Sequence, residues 1–214
     1  MISRIPLIII LALISTLVEV ISEGISHSSH MMLKAAEKGD LETVINYVTK
    51  TGVPINVKNN YGVSAIIFAA NNGHTELVKA LVEVGANIED RSNNWRTPLN
   101  WASYWGHYTC VEYLVGAGAN MSTFDTKGMT PLMAATFNGN AQIVQFLLDN
   151  GANPLAKNVF NGTALSIARV QNNTELISIL EPYYPPEPDN SPYVIMYNII
   201  LVELEKLGEV LLRE

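Results

Sequence analysis

Four short phrases decide the fold: SAIIFAA at residues 64–70, TPLNWAS at 97–103, TPLMAAT at 130–136 and TALSIAR at 163–169. Each phrase begins 33 residues after the one before it. Between them a second set recurs at the same spacing, namely GHTELVKALVEVGAN, GHYTCVEYLVGAGAN and GNAQIVQFLLDNGAN. A fixed period of this length predicts a stack of supersecondary units, each of which buries its apolar surface against its neighbours.

Each period has the features of two helices joined by a turn. Thr97-Pro98 and Thr130-Pro131 are typical of a helix start, because Thr caps free backbone amides and Pro is tolerated in the first turn. The second phrase carries apolar side chains at helical spacing and ends on a glycine suited to a left-handed residue. The first phrase is rich in alanine, so paired helices can approach closely.

These recurring residues resemble the ankyrin repeat, whose pattern is D-x-x-G-x-T-P-L-H-x-A-A-x-x-G-H, then an apolar outer helix and G-A-x-x-N. The resemblance covers roughly residues 31–180, including an opening half-repeat in MMLKAAEKGDLETVINYVTKTGVPIN. It implies an all-α solenoid of helix-turn-helix units with short β-hairpin loops. It also implies a non-catalytic scaffold for protein–protein interaction.

The expected boundaries divide the chain into a leader, a solenoid and a C-terminal extension. In chain order they are a signal peptide at 1–24, a short linker at 25–30, the half-repeat at 31–57, full repeats at about 58–90, 91–123, 124–156 and 157–181, a proline-rich linker at 182–192 and an amphipathic helix at 193–214.

The leader has a cation at Arg4 and a mostly apolar run over residues 5–18, which stops at Glu19. That length suits the core of a signal peptide and is short of the roughly 20 residues that a transmembrane helix needs. We therefore expect the secretory pathway, with a secreted or periplasmic product. A retained membrane anchor and a leader helix packed on a cytoplasmic domain are the alternatives.

The C-terminal helix follows the spacer PYYPPEPDNSP and carries apolar residues at helical spacing, from Ile200 to Leu211. Such a stripe suits a cap over the last repeat. Self-association through this helix, which would make the chain an assembly or spacer protein, is a second hypothesis. A membrane-anchored adaptor is a third, if the leader is retained.

Composition argues against several other functions. The formal charge of −7 and pI near 5.1 disfavour a nucleic-acid surface, and the single cysteine excludes a disulfide framework. His107 and Cys110 lie three residues apart, but they occupy a repeat position and a core position, so we expect no catalysis there. We expect no metal site, cofactor or small-molecule substrate.

The stretch NWRTPLNWASYWGHYTC at 94–110 holds all three tryptophans. Its period places Trp101 and Cys110 in the core, whereas Tyr104 and Trp105 fall where other repeats mostly have polar residues. In ankyrin-like proteins these positions lie on the concave face of the inner helices, so we predict a partner-binding patch there. The predicted residues are Tyr61, Asn93, Arg96, Tyr104, Trp105, Lys127, Met129 and Phe137.

Within this patch, Arg96 and Lys127 are expected to select an acidic or carbonyl-rich feature of the partner protein. The alternative is that the aromatic rings only pack against one another or against the hairpins.

Two departures from the family pattern carry further expectations. The His after T-P-L is missing from all four repeats, which predicts weaker polar support between repeats. A hairpin glycine is replaced by Trp95, so either Asn94 adopts the left-handed conformation or that hairpin has a different shape.

Overall fold

The computed structural model of the chain describes residue 24 and residues 26–184. The predicted leader, except for Gly24, and the predicted C-terminal helix lie outside these residues. So does most of the proline-rich linker.

Ten α-helices and one short 3-10 helix occupy residues 26–184, and none of these residues is in a β-strand. In chain order they are α1 over residues 26–38, α2 Leu41–Lys50, α3 Ala65–Asn71, α4 Thr75–Glu83, α5 Pro98–Trp105, α6 Tyr108–Gly116, α7 Pro131–Phe137, α8 Ala141–Asp149, α9 Ala164–Val170, α10 Thr174–Leu180 and the 3-10 helix Glu181–Tyr183.

The helices form two layers, with the odd-numbered inner helices in one and the even-numbered outer helices in the other. Helices α3, α5, α7 and α9 contact one another more extensively than the outer helices do. Because the inner layer is packed more closely, its open side is the concave side of the stack. The predicted all-α repeat fold is confirmed.

Small residues hold the inner layer together, and leucines hold the outer layer. Ala69, Ala102 and Ala135 are inaccessible to solvent at the inner helix contacts. Leu81 and Leu147 are likewise fully buried on α4 and α8. Burying a leucine side chain contributes about 1.5–3 kcal/mol, so each of these leucines adds substantially to the stability of the stack.

The inner helices begin at the positions that the sequence indicates. Thr97 caps α5 through a capping box with Asn100, and Thr130 accepts a hydrogen bond from the backbone N–H of Met133. Ser64, at the same position of the first full repeat, makes no side-chain cap hydrogen bond. Its hydroxyl is buried without a partner.

The N-terminal boundary differs from the prediction, because residues 26–30 of the expected linker are helical. They belong to α1. Ser29 is buried, and Met32 and Leu33 on the next turn are buried as well. Ser and His lower helix stability only modestly, so the packing of this apolar turn extends the helix into the Ser- and His-containing stretch.

None of the helices among the described residues combines the length and apolar character needed to cross a bilayer.

Candidate protein-binding surface

Four hairpin loops, hairpins 1 to 4, project beside the inner helices, at residues 57–63, 90–96, 123–129 and 156–162. Each is closed by the same two backbone hydrogen bonds, of 2.8–3.2 Å. Neighbouring hairpins are also joined. The backbone N–H groups of Asn93, Thr126 and Val159 each donate to a carbonyl of the preceding hairpin, at 2.9–3.1 Å. The loops therefore form a continuous, fixed row.

Trp95 occupies the left-handed turn position of hairpin 2, with φ of 63°. Its N–H donates to the carbonyl of Ser92 at 2.8 Å, and Gly62 makes the equivalent bond in hairpin 1 at 2.9 Å. Both expectations for this turn are therefore wrong. The left-handed residue is Trp95 and not Asn94, and hairpin 2 is closed by the same hydrogen bonds as the other hairpins. Those bonds and the link to hairpin 3 fix the backbone, so Trp95 takes the strained conformation.

Trp95 is not among the predicted site residues, although it is 52% exposed. The guanidinium of Arg91 lies 5.9 Å from the centre of its ring. The sequence did mark this residue, because Trp95 stands at the repeat position that holds glycine in hairpins 1 and 3. A bulky side chain there is costly unless something offsets the cost.

Tyr104, Trp105 and Phe137 form one cluster of rings on the concave face, the aromatic cluster. The Tyr104 ring meets Trp105 edge to face at 5.0 Å and stacks on Phe137 at 6.2 Å, with planes 18° apart. Trp105 remains 51% exposed and Phe137 49% exposed. The rings thus pack against one another and still present about half of their surface to solvent.

Trp105 also takes over a hydrogen bond that amides make in other repeats. At this position Asn72, Asn138 and Gln171 each donate to a backbone carbonyl of the preceding inner helix, at 2.6–2.9 Å. The Trp105 indole N–H instead donates to the side-chain oxygen of Asn71, at 2.8 Å. The tryptophan keeps a polar link between repeats and adds an exposed ring.

Arg96 lies beneath the aromatic cluster and is only partly exposed. Its guanidinium is 5.0 Å from the Tyr104 ring and 4.6 Å from the Trp101 ring. Its Nε donates to the buried carboxylate of Asp125 at 3.0 Å. Arg96 thus has an acidic partner inside the chain, and it holds hairpin 2, hairpin 3 and the cluster in a fixed relation.

The other predicted residues lie along the hairpin row. The Tyr61 side chain is 76% exposed, and the Lys127 side chain is also exposed. Asn93 donates to the Asn60 carbonyl at 3.0 Å, and the Met129 sulfur accepts from Asn158 at 3.6 Å. Tyr61 and Lys127 are therefore open to a partner, whereas Asn93 and Met129 link hairpins.

The histidines that follow Gly73 and Gly106 make polar links between repeats. Nε2 of His74 and His107 lies 3.0 and 2.9 Å from a backbone carbonyl of the preceding inner helix. A Cβ at Gly73 would lie 2.5 Å from the ring of His107 in the next repeat. The close approach of this His to the preceding repeat therefore requires glycine at position 73. The G-H pair, which is also part of the family pattern, thus links a repeat to the preceding inner helix.

The chemistry of Cys110 agrees with a core role. Its side chain is fully buried, with the sulfur 3.1 Å from the Thr75 hydroxyl. Burial raises the pKa of the Cys110 thiol, which disfavours the nucleophilic thiolate. His107 is engaged with the neighbouring backbone. Among the described residues no three His, Cys, Asp or Glu side chains group as metal ligands would.

The comparison with protein families gives two adjoining matches. A family model described as ankyrin repeats in three copies matches residues 32–125, and a single ankyrin repeat matches residues 127–159. Together they cover more than half of the chain. It belongs to the ankyrin repeat family. No curated protein matches the chain.

Ankyrin repeats are generally protein–protein interaction modules and are typically without enzymatic activity, which fits the concave surface described above. In this ankyrin repeat chain the pattern extends past the matched residues. Helices α9 and α10 pack on α7 and α8 as the earlier pairs do, so the two-layer stack continues beyond residue 159.

Proposed function

We propose that the chain is a non-catalytic scaffold that binds a partner protein on its concave face, with the aromatic cluster as the anchor. The observation that carries the proposal is that Trp105 and Phe137 are held in place by the chain and are still half exposed. Rings that are fixed before binding lose little conformational entropy when a partner covers them.

The size of the available energy supports an anchor role. A large aromatic side chain buries about 150–250 Å² when covered, so half of one ring offers about 100 Å². At about 25 cal/mol per Å², covering each remaining half contributes about 2–3 kcal/mol. Contributions of that size define the few residues that dominate protein interfaces.

The surroundings of the cluster favour a specific interface over a general apolar patch. Arg96 fixes Tyr104 from below, and the Trp105 N–H is already satisfied by Asn71. Amides of Asn138 and Gln171 flank the rings. An apolar centre with a polar rim is the arrangement found at protein interfaces.

The test is affinity capture from extracts of the source organism with the full chain as bait. Trp105→Asn is the sharpest variant, because it restores the amide that other repeats carry and removes only the ring. Phe137→Ala removes the second anchor. Leu41→Ala is the matched control, since Leu41 is 38% exposed and lies on outer helix α2 rather than on an inner helix or a hairpin.

We expect partner proteins that the wild type and Leu41→Ala recover but that both Trp105→Asn and Phe137→Ala lose. Circular dichroism should show equal helix content for all four proteins. If the recovered set is the same for wild type and Trp105→Asn, the aromatic cluster is not the anchor.

A further inference from the structure

Charge is divided unevenly between the two sides of the stack. We define the inner face as the inner helices together with hairpins 1 to 4. It holds eight of the ten Lys and Arg residues in the range 26–184 but three of the twelve Asp and Glu residues. The cations are Lys34, Lys38, Lys58, Arg91, Arg96, Lys127, Lys157 and Arg169. A chain that is acidic overall therefore has a basic inner face.

Two of the three acids on this face are neutralised inside the chain. Asp90 is buried and forms an ion pair with Lys58, and Asp125 is buried and forms one with Arg96. Glu37 is the one exposed acid of the inner face within residues 26–184. The accessible carboxylates lie instead on the outer helices and their connections, as at Glu42, Glu76, Glu83, Glu112, Asp149 and Glu175.

The hairpins repeat a two-residue unit within this basic face. Each of the four carries one cation and one exposed aromatic side chain, and in hairpin 1 the cation is already paired with Asp90. The pairs are Lys58 with Tyr61, Arg91 with Trp95, Lys127 with Phe124, and Lys157 with Phe160. The unit survives although the cation and the ring change places between hairpins, which is notable because neither residue belongs to the family pattern.

The spacing of the hairpins points to an extended ligand. Adjacent repeats stack at roughly the 8–10 Å separation of packed helices. An extended peptide rises about 3.3 Å per residue, so it advances by one hairpin roughly every three residues. We propose that the hairpin row binds an extended acidic peptide segment of the partner protein, with an apolar side chain in register with each hairpin and a carboxylate in register with each of hairpins 2 to 4.

This inference rests on the proposed function, because it names the chemistry of the partner that the same face binds. A single-stranded nucleic acid is the competing ligand, since cations and aromatic rings also recognise it. The peptide is favoured by the spacing, because one cation about every 10 Å is sparse for a phosphate backbone.

A phage-displayed library of random sixteen-residue peptides, selected against the immobilised full chain, tests the proposal. Four hairpins span roughly 30 Å, or about nine extended residues, so such peptides are long enough. We expect enriched peptides to be acidic, with Asp or Glu recurring three residues apart and apolar residues between. Synthetic copies should bind less tightly as salt is raised.

Charge reversal provides the matched comparison. Lys127→Glu combined with Lys157→Glu should weaken binding of the selected peptides at least tenfold. Lys50→Glu combined with Lys79→Glu changes the net charge equally but alters only outer helices α2 and α4, so we expect less than a twofold effect. Equal losses from the two pairs would mean that net charge, not the hairpin row, attracts the peptide, and would overturn the inference.

The remaining outcomes separate this inference from the proposed function. Peptides without an acidic excess that still need Trp105 would overturn only the acidic ligand. Acidic peptides that need the hairpin lysines but tolerate Trp105→Asn would support the hairpin row and overturn the aromatic anchor. Tighter binding of a twenty-nucleotide single-stranded DNA than of the selected peptides would overturn the peptide assignment. No enrichment over an empty support would overturn the peptide inference alone, because the proposed function is tested by the affinity capture described above.

Discussion

Trp95 offers a direct test of whether backbone strain is stored in hairpin 2. Its φ of 63° lies in the region that side chains rarely adopt, whereas glycine adopts it freely. We compare Trp95→Gly with Trp95→Ala, because both remove the ring and its contact with Arg91. Only the glycine variant also removes the Cβ that causes the strain.

The expected difference follows from two opposing terms. A left-handed residue with a Cβ costs about 1–2 kcal/mol. Glycine gains flexibility in the unfolded chain, which lowers its advantage by about 0.4–1 kcal/mol. Trp95→Gly should therefore be more stable than Trp95→Ala by about 0.5–1 kcal/mol. For a chain of this size that difference shifts Tm by a few degrees, at about 2–4 °C per kcal/mol.

Urea unfolding followed by circular dichroism measures the difference, with Gly128→Ala as the reverse control. That change adds a Cβ at φ of 73°, 2.9 Å from the backbone nitrogen of Val159, so it should destabilise the chain by more than 1 kcal/mol. If Trp95→Ala equals or exceeds Trp95→Gly in stability while Gly128→Ala unfolds early, hairpin 2 does not store strain at Trp95.

Three further experiments test the Thr97 cap, the Arg96–Asp125 ion pair and the burial of Cys110. Thr97→Ala should lower the free energy of unfolding in urea by about 1–2 kcal/mol, because Thr97 caps α5. Ser64→Ala should be neutral or stabilising, since the buried Ser64 hydroxyl has no partner. Equal losses from the two changes would refute this reasoning. Arg96→Met should lower the free energy of unfolding by about 2–3 kcal/mol, because it leaves the Asp125 carboxylate buried without its cation. The double variant with Asp125→Asn should lose less stability than the two single variants combined. Strict additivity would contradict this prediction. The Cys110 thiol should react with an aromatic disulfide reagent at pH 8 far more slowly in the folded chain than in denaturant, and its rate should keep rising above the pH at which an ordinary thiol is ionised, because burial raises its pKa; equal rates in both states would exclude this burial.

The repeat period predicted the faces of the helices but not the depth of every side chain. Cys110 is fully buried, as expected, whereas Trp101 is only half-buried under the Arg96 guanidinium. A position within the period fixes the direction of a side chain relative to its own helices. How deeply that side chain is buried depends on the hairpin residue that lies over it, and this residue differs between repeats.

The links between repeats were hidden for a related reason. The absence of the family His after T-P-L indicated weaker support, yet His74, His107 and Asn140 bond to carbonyls of the preceding repeat. Likewise, the sequence marked Trp105 as unusual but could not show that its indole N–H replaces an amide. Such exchanges depend on atoms about 34 residues apart meeting within 3 Å, which a periodic pattern does not specify.

The second full repeat departs twice from the local rules of the fold, and the two departures differ in cost. Trp105 keeps the hydrogen bond of the amide it replaces, so its exposed ring adds surface with little loss of stability. Trp95 adds an exposed ring at a position where the backbone is strained and an isolated contact with Arg91 offsets only part of the cost. Because a residue that strains the chain is expected where function requires it, Trp95 is the stronger sign that this repeat contacts a partner. Its test is whether Trp95→Gly, which should stabilise the chain relative to Trp95→Ala, weakens binding of the selected acidic peptides as much as Trp95→Ala does. A glycine variant that binds like the wild type would show that the ring serves neither the fold nor the interface.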